Sequence, residues 1–176
     1  MITSSDSERL LDAIGWRILA ELQENARIQL AELGRRVGLS NPAAIERVRR
    51  MEEAGIITGY RVEIDHRKVG LPVSAYIRIR IHGDSIFRFI SAVRDMREVY
   101  ECHRITGDDT FLVKVYAAST EELERIVDSF NPYMTTNTML VLSSPVTRQT
   151  IESPSETSAS SRRRSAKLPS RSTIRK

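Results

Sequence analysis

The sequence predicts an α+β protein in two parts, an N-terminal winged helix-turn-helix followed by a ferredoxin-like βαββαβ domain. Three observations carry that expectation. From Leu10 to Ala54 apolar residues recur at steps of three and four, the period of half-buried helices. From Val73 to Ile81 they recur at every second residue, the period of a half-buried strand. Beyond Ile81 the two periods alternate, so that the order from residue 73 reads strand, helix, strand, strand, helix, strand.

Leu11, Ile14, Ile18 and Leu22 form one face of a first helix, interrupted at Asn25-Ala26-Arg27. Leu30, Leu33 and Val37 give a short second helix that Gly38 stops, since glycine tolerates the left-handed conformation of a helix end. Ser40 offers a cap hydroxyl and Pro42 suits a first turn. Ala44, Val48 and Met51 line the buried face of a third helix, closed by Gly55. Ile56 to Ile64 reads as two short strands around Gly59, a small hairpin or wing that carries Arg61.

In the second part, Val73, Ala75, Ile77, Ile79 and Ile81 alternate with Ser74, Tyr76, Arg78, Arg80 and His82. Ile86, Phe89, Ile90 and Val93 suit a helix, then Val99–Thr106 and Thr110–Tyr116 are strands around a Gly107-Asp108-Asp109 turn. Leu123, Ile126, Val127 and Phe130 mark a helix stopped at Asn131-Pro132, and Thr138–Leu142 is the last strand. Both helices would cover one face of the sheet. Tyr76, Tyr100, Leu112 and Tyr116, or their alternates, leave the other face too apolar to stay wet, so a partner sheet and at least a homodimer are expected. The expected boundaries are 1–60, a linker over 61–72, 73–152, and a Ser/Arg-rich tail over 153–176 expected to be disordered.

Charge and cysteine content narrow the function class. The chain carries a net +4, yet residues 153–176 hold 7 of the 27 Lys and Arg against one acid, Glu156, leaving residues 1–152 at −2. The basic balance belongs to the tail. That tail either adds sequence-blind phosphate attraction or is an inert solubilising end. No apolar run is long enough to span a bilayer and no secretory signal precedes residue 10, so no membrane partner is expected. Cys102 is the only cysteine, which with these features indicates a cytoplasmic setting. No metal-ligand spacing, nucleophile elbow or phosphate loop occurs, and neither metal nor cofactor is expected.

The third helix carries the chemistry. With Ala44, Val48 and Met51 buried, its other face presents Asn41, Pro42, Ile45, Glu46 and Arg49 to a major groove. Asn41 suits an adenine edge, Arg49 a guanine edge and Ile45 a thymine methyl. The helix start at Ser40 and Asn41 can meet a phosphate, and Arg47 and Arg50 flank the face where phosphates would lie. The competing reading is a solvated face whose arginines pair with Glu52 and Glu53.

These stretches together resemble the Lrp/AsnC family of feast-or-famine transcription regulators. The resemblance rests on Leu11-Asp12-Ala13-Ile14, Ile18 to Gln23, Val37-Gly38-Leu39-Ser40, Arg47 to Tyr60, and Thr106 to Val115. It runs in unbroken order from about residue 10 to 148. It implies a regulator of double-stranded DNA that binds roughly palindromic sites and controls amino-acid metabolism or transport genes. It also implies a homodimer that can build tetramers or octamers, and a small-molecule effector, an amino acid or a relative, held between subunits. The effector residues it points to are Gly107, Asp108, Asp109 and Thr110, with Thr136 and Thr138 on the last strand; the same turn composition also makes an ordinary hairpin. The chain departs from the family at Gly15 (usually an acid), at Gln29 (usually a capping residue), at Gly34 (usually alanine) and at Thr110 (often a carboxylate). A decarboxylase of haem biosynthesis shares this two-domain resemblance and would recruit His66, Arg67 and His103, and the expectation here is that the chain is no enzyme.

Overall fold

Asp12 opens the first long helix, α1 (Ala13–Glu24), by accepting a 2.8 Å hydrogen bond from the Gly15 amide. The computed structural model describes residues 8–81, 85–130 and 134–154. His82, the Asn131-Pro132 stop and the tail from residue 155 lie outside them. Helix α2 (Leu30–Val37) starts at Gln29 with no side-chain cap, so the departure there leaves its first amides without that help. It ends at Gly38 with φ 81°, where a side chain would be strained. Ser40 then caps α3 (Asn41–Glu53) through the Ala43 amide.

Two glycines set how closely these helices meet. A Cβ on Gly15 would lie 1.9 Å from the Leu10 carbonyl oxygen and 2.9 Å from the Met51 methyl. One on Gly34 would lie 2.8 Å from the Leu39 oxygen and 3.3 Å from Ala44 Cβ. The substitution of the family's acid at Gly15 therefore has a structural meaning: the segment entering α1 folds back onto the helix. Leu10, rather than Leu11, joins Ile18, Leu22, Leu33, Val37, Val48 and Met51 in the core.

The expected hairpin over residues 56–64 does not form. The Ile56 and Ile57 amides both return to the Met51 carbonyl, at 2.9 and 3.1 Å, which tightens the end of α3 instead of starting a strand. Beyond them Val62 and Ile64 are exposed, with no ladder partner among the described residues. β-propensity marked those residues as strand formers, but a strand needs a neighbour.

The described residues of the second part build a four-stranded antiparallel sheet in the order β2-β3-β1-β4, from β1 (Val73–Ile81), β2 (Val99–Arg104), β3 (Phe111–Ala117) and β4 (Met134–Leu140). Helices α4 (Ile86–Asp95) and α5 (Thr120–Ser129) cover one face. Ala75, Ile77, Ile79, Phe111, Val113 and Val115 meet Phe89, Val93, Leu123 and Ile126 there. The last strand begins earlier than expected, at Met134, because nine-residue β1 offers it a full ladder from Ile81 to Ala75. β2 ends at Arg104 rather than Thr106.

Contacts divide the chain into two units, one up to Val62 with the residues from Arg148 on, the other Glu63–Thr147. The return of the chain to the first unit is visible at Gln23. Its side-chain amide donates to the Ile151 carbonyl at 3.1 Å and accepts from the Ile151 amide at 2.8 Å, as a neighbouring strand would. No helix among the described residues is long and apolar enough to cross a membrane.

Candidate nucleic-acid interface

α3 turns Ala44, Val48 and Met51 inward and leaves Asn41, Pro42, Ile45, Arg49 and Arg50 exposed. The trio Asn41, Ile45 and Arg49 falls at steps of four, one line along the outer face. Ile45 is 43% exposed, an apolar side chain standing among charges with no core to enter. Ser40, at the head of the helix, spends its hydroxyl on the Ala43 amide and its carbonyl on the Ala44 amide, and Pro42 has no N–H, so Asn41 carries the remaining first-turn amide of α3.

Arg47 departs from the sequence reading. Its guanidinium turns back to the entry of α1, bonding Asp12 at 2.7 Å and the Arg9 and Leu10 carbonyls at 3.2 and 3.4 Å. Its Nε is buried without a partner. The Gly15 amide and then the Arg47 guanidinium hold the Asp12 carboxyl below its ordinary range. Arg47 thus braces α3 against the entry of α1.

Arg17 is a second strut, unforeseen in the sequence. It reaches the Arg36 and Val37 carbonyls and so satisfies the exposed end of α2. Spacing alone does not reveal such partners, because they lie on different helices.

Charges on the outer face are paired among themselves, with Glu53 in the expected pair and Glu46 as a partner that was not expected. Glu46 accepts from Arg49 Nε and Nη2, both at 2.9 Å, and from Arg50 Nε at 2.7 Å. Glu53 takes Arg49 Nη1. Glu52, expected to pair with an arginine, accepts instead from the Tyr60 hydroxyl at 2.9 Å. Burial first, and then that bond, push the Tyr60 phenol up to about 12. The hydrogen bonds from Arg49 and Arg50 bring the Glu46 carboxyl down to about 2.

In the second unit, the Gly107–Thr110 segment is built as a turn. Gly107 has φ 108°. Thr110 spends its amide on the Ile79 carbonyl, its carbonyl on the Ile105 amide and its hydroxyl on the Ile81 amide. Asp109 lies 3.2 Å from Arg78 and 3.9 Å from Arg80, so this effector-candidate carboxylate already has cationic partners within the chain. Asp108 is open to solvent, 3.9 Å from Arg80. Thr136 and Thr138 stand opposite Ile79 and Ile77 on the far side of β1. The strands flanking β1 are about 10 Å apart. The turn and the two threonines therefore lie on the two sides of β1, with one strand between them.

The sheet's uncovered face carries a cluster instead. Lys114 Nζ lies 5.7, 5.2 and 5.5 Å from the ring centres of Tyr76, Tyr100 and Tyr116. Tyr100 is the extra residue where the β2–β3 register slips between Val99 and Glu101, and the bulge aims its ring at Tyr116, 5.0 Å away. His66 stacks on Tyr116 at 4.3 Å and its Nδ1 lies 2.6 Å from the Leu71 carbonyl. His103 sits with Glu101 at 3.4 Å on β2, separate from His66. Among the described residues no group of His, Cys, Asp and Glu could hold a metal.

Comparison with known proteins matches both parts of the chain. Residues 11–58 match the model for a winged helix-turn-helix DNA-binding domain, and residues 74–151 that for an Lrp/AsnC ligand binding domain. The chain is 36% identical over 133 residues to the HTH-type transcriptional regulator LrpC of Bacillus subtilis, covering 76% of this chain and 92% of that one. It is 40% identical over 121 residues to the proline dehydrogenase transcriptional activator of Rhodobacter capsulatus, covering 67% and 79%. The LrpC structure superposes with a TM-score of 0.75 over 78% of this chain and 99% of that one, at 36% identity. A Neisseria meningitidis transcriptional regulator in complex with L-methionine gives 0.74 over 80% and 96%, at 27% identity. With regulators as its relatives, the decarboxylase alternative falls away.

Proposed function

The chain belongs to the Lrp/AsnC family of DNA-binding transcriptional regulators and is not an enzyme, and from that premise we propose which residues do the work. The outer face of α3 reads a major groove. Asn41 takes an adenine edge, Ile45 a thymine methyl and Arg49 a guanine edge, while Ser40, Pro42 and Arg50 position the helix start and its flank on phosphates. Arg47 holds α3 against α1 and has no phosphate role. The observation that carries this reading is the exposed line of Asn41, Ile45 and Arg49 opposite the buried line of Ala44, Val48 and Met51.

Two such units would bind paired half-sites, since a two-fold dimer reads a two-fold site. The open sheet face, with Tyr76, Tyr100 and Tyr116, is the surface on which a second copy docks. The effector is an amino acid, and its site is completed at the Gly107–Thr110 turn by a neighbouring chain. The bound L-methionine of one neighbour and the amino-acid gene named by one relative support that class. The genes controlled are then those of amino-acid metabolism or transport, and the place of action is the cytoplasm.

The decisive experiment measures Arg49→Ala and Arg50→Ala on duplexes selected from a random pool by the wild-type protein, and on unselected duplexes. Arg49→Ala should lower affinity for selected duplexes by about tenfold and spare unselected ones. Arg50→Ala should weaken binding without changing which sequences are selected, and should reduce the salt slope on selected duplexes by about one. Equal losses on both duplexes for Arg49→Ala would overturn the base-reading role. Calorimetry across the amino acids tests the effector, and a blank for every one removes that assignment.

A further inference from the structure

Arg49 meets DNA with all three of its nitrogens already engaged. Glu46 holds Nε and Nη2 in a two-point grip at 2.9 Å each, and Glu53 holds Nη1. The same Glu46 oxygen that binds Arg49 Nη2 takes Arg50 Nε at 2.7 Å. One carboxylate therefore restrains both the guanine-reading arginine and its phosphate-positioning neighbour. All of these side chains stay about half exposed, so the pairs can be exchanged for other partners at little cost.

What a duplex offers in exchange depends on where α3 lands. A phosphate gives arginine an acceptor, but it gives Glu46 nothing and repels it. A G·C pair in the major groove gives both partners something: guanine O6 and N7 accept from an arginine fork, and the cytosine N4 amine donates to a carboxylate. There the Arg49–Glu46 pair can open with arginine on guanine and the carboxylate on cytosine of one base pair, without stranding a bare anion.

We propose that Glu46 is a specificity-determining residue, which restrains Arg49 and Arg50 on random DNA and releases them where a G·C pair meets both arginine and carboxylate. This rests on α3 being the groove-reading helix. Because the carboxyl titrates only at about 2, the restraint is in force throughout the neutral range.

The test compares the full-length wild type with Glu46→Gln and Glu53→Gln, by fluorescence anisotropy over a salt series. The duplexes are selected by the wild type from a random pool, alongside unselected duplexes of equal length. Glutamine keeps the shape of Glu46 and removes its charge. Glu46→Gln should bind unselected DNA about tenfold more tightly, with a salt slope steeper by about one to two. Its preference for selected duplexes should fall about tenfold, and reselection with the variant should lose the G·C requirement at one position. Glu53→Gln, which frees one nitrogen of Arg49 only, should show the same trends at less than half the size. An unchanged salt slope, or equal weakening on both duplexes with reduced helicity, overturns the proposal. If the wild type selects no sequence at all, the groove reading fails, and the slope of Glu46→Gln on unselected DNA still decides whether the restraint exists.

Discussion

The two units of this chain solve opposite problems. The helical unit finishes its own surface: on the outer face of α3 Arg49 and Arg50 share Glu46, and Glu53 takes the remaining nitrogen of Arg49. The sheet unit leaves its surface unfinished, with Tyr100 62% exposed beside Tyr116 and Met139 at 40%. A polar face satisfied from within can wait in water for a polyanion. An aromatic face cannot, and the cover proposed for it is another copy of itself. The units also differ inside. The sheet unit fills its core by alternation along strands, whereas the helical unit depends on backbone approach at Gly15 and Gly34.

Breaking each core in turn would sharpen that contrast. The largest effect is expected in the sheet unit at Phe89, which is 2% exposed and lies 4.7 Å from Phe111 and 6.0 Å from Phe130. Phe89→Ala should cost about 3–5 kcal/mol, measured from the urea midpoint by circular dichroism. A loss near zero would mean that the sheet is not packed as described. Next comes the uncovered face. Tyr116→Glu places an anion in the aromatic cluster and should raise the dissociation constant of a dimer by about 30-fold, read by light scattering against concentration. A dimer that persists unchanged would put the interface elsewhere.

In the helical unit, Gly15→Ala should cost about 2 kcal/mol, because the Leu10 carbonyl must move to admit a methyl group. Gly38→Ala meets no atom within 4 Å and pays only for its φ of 81°, about 1 kcal/mol. Trp16, the only tryptophan, sits beside Gly15 and reports both by fluorescence. Equal costs would remove the close approach from the account. The smallest effect is electrostatic. Glu46 has a folded-state pKa lowered from 4.5 to about 2, so the stability it contributes is present above 4.5 and is lost as pH falls toward 2. Glu46→Gln should flatten that part of the acid limb, and 1 M salt should shrink the difference, as screening of exposed pairs requires.

Much of this architecture can be read without coordinates. The steps of three and four that put Ala44, Val48 and Met51 inside also put Asn41, Ile45 and Arg49 outside, since a helix has only one angle per residue. Period two along β1 likewise separates Ile77 and Ile79 from Arg78 and Arg80. The open tyrosine face was legible for the same reason, with Tyr100 joining it through a bulge that no alternation announces. The partner of Arg47 was not legible, because its position on α3 says nothing about Asp12 across on α1. The hairpin over 56–64 is absent because propensity describes a strand's willingness and not its partner. At the effector turn, Asp109 looked available until cross-strand register brought Arg78 beside it.

By itself the sequence determined periodicity, element order and which face of each element turns inward, because these depend on residues close along the chain. The tertiary structure decided who stands opposite whom: Leu10 over Gly15, Asp12 under Arg47, Arg78 against Asp109. Those choices arise where distant segments compete for the same carbonyl, carboxylate or guanidinium, and only a folded chain brings the competitors within hydrogen-bonding distance.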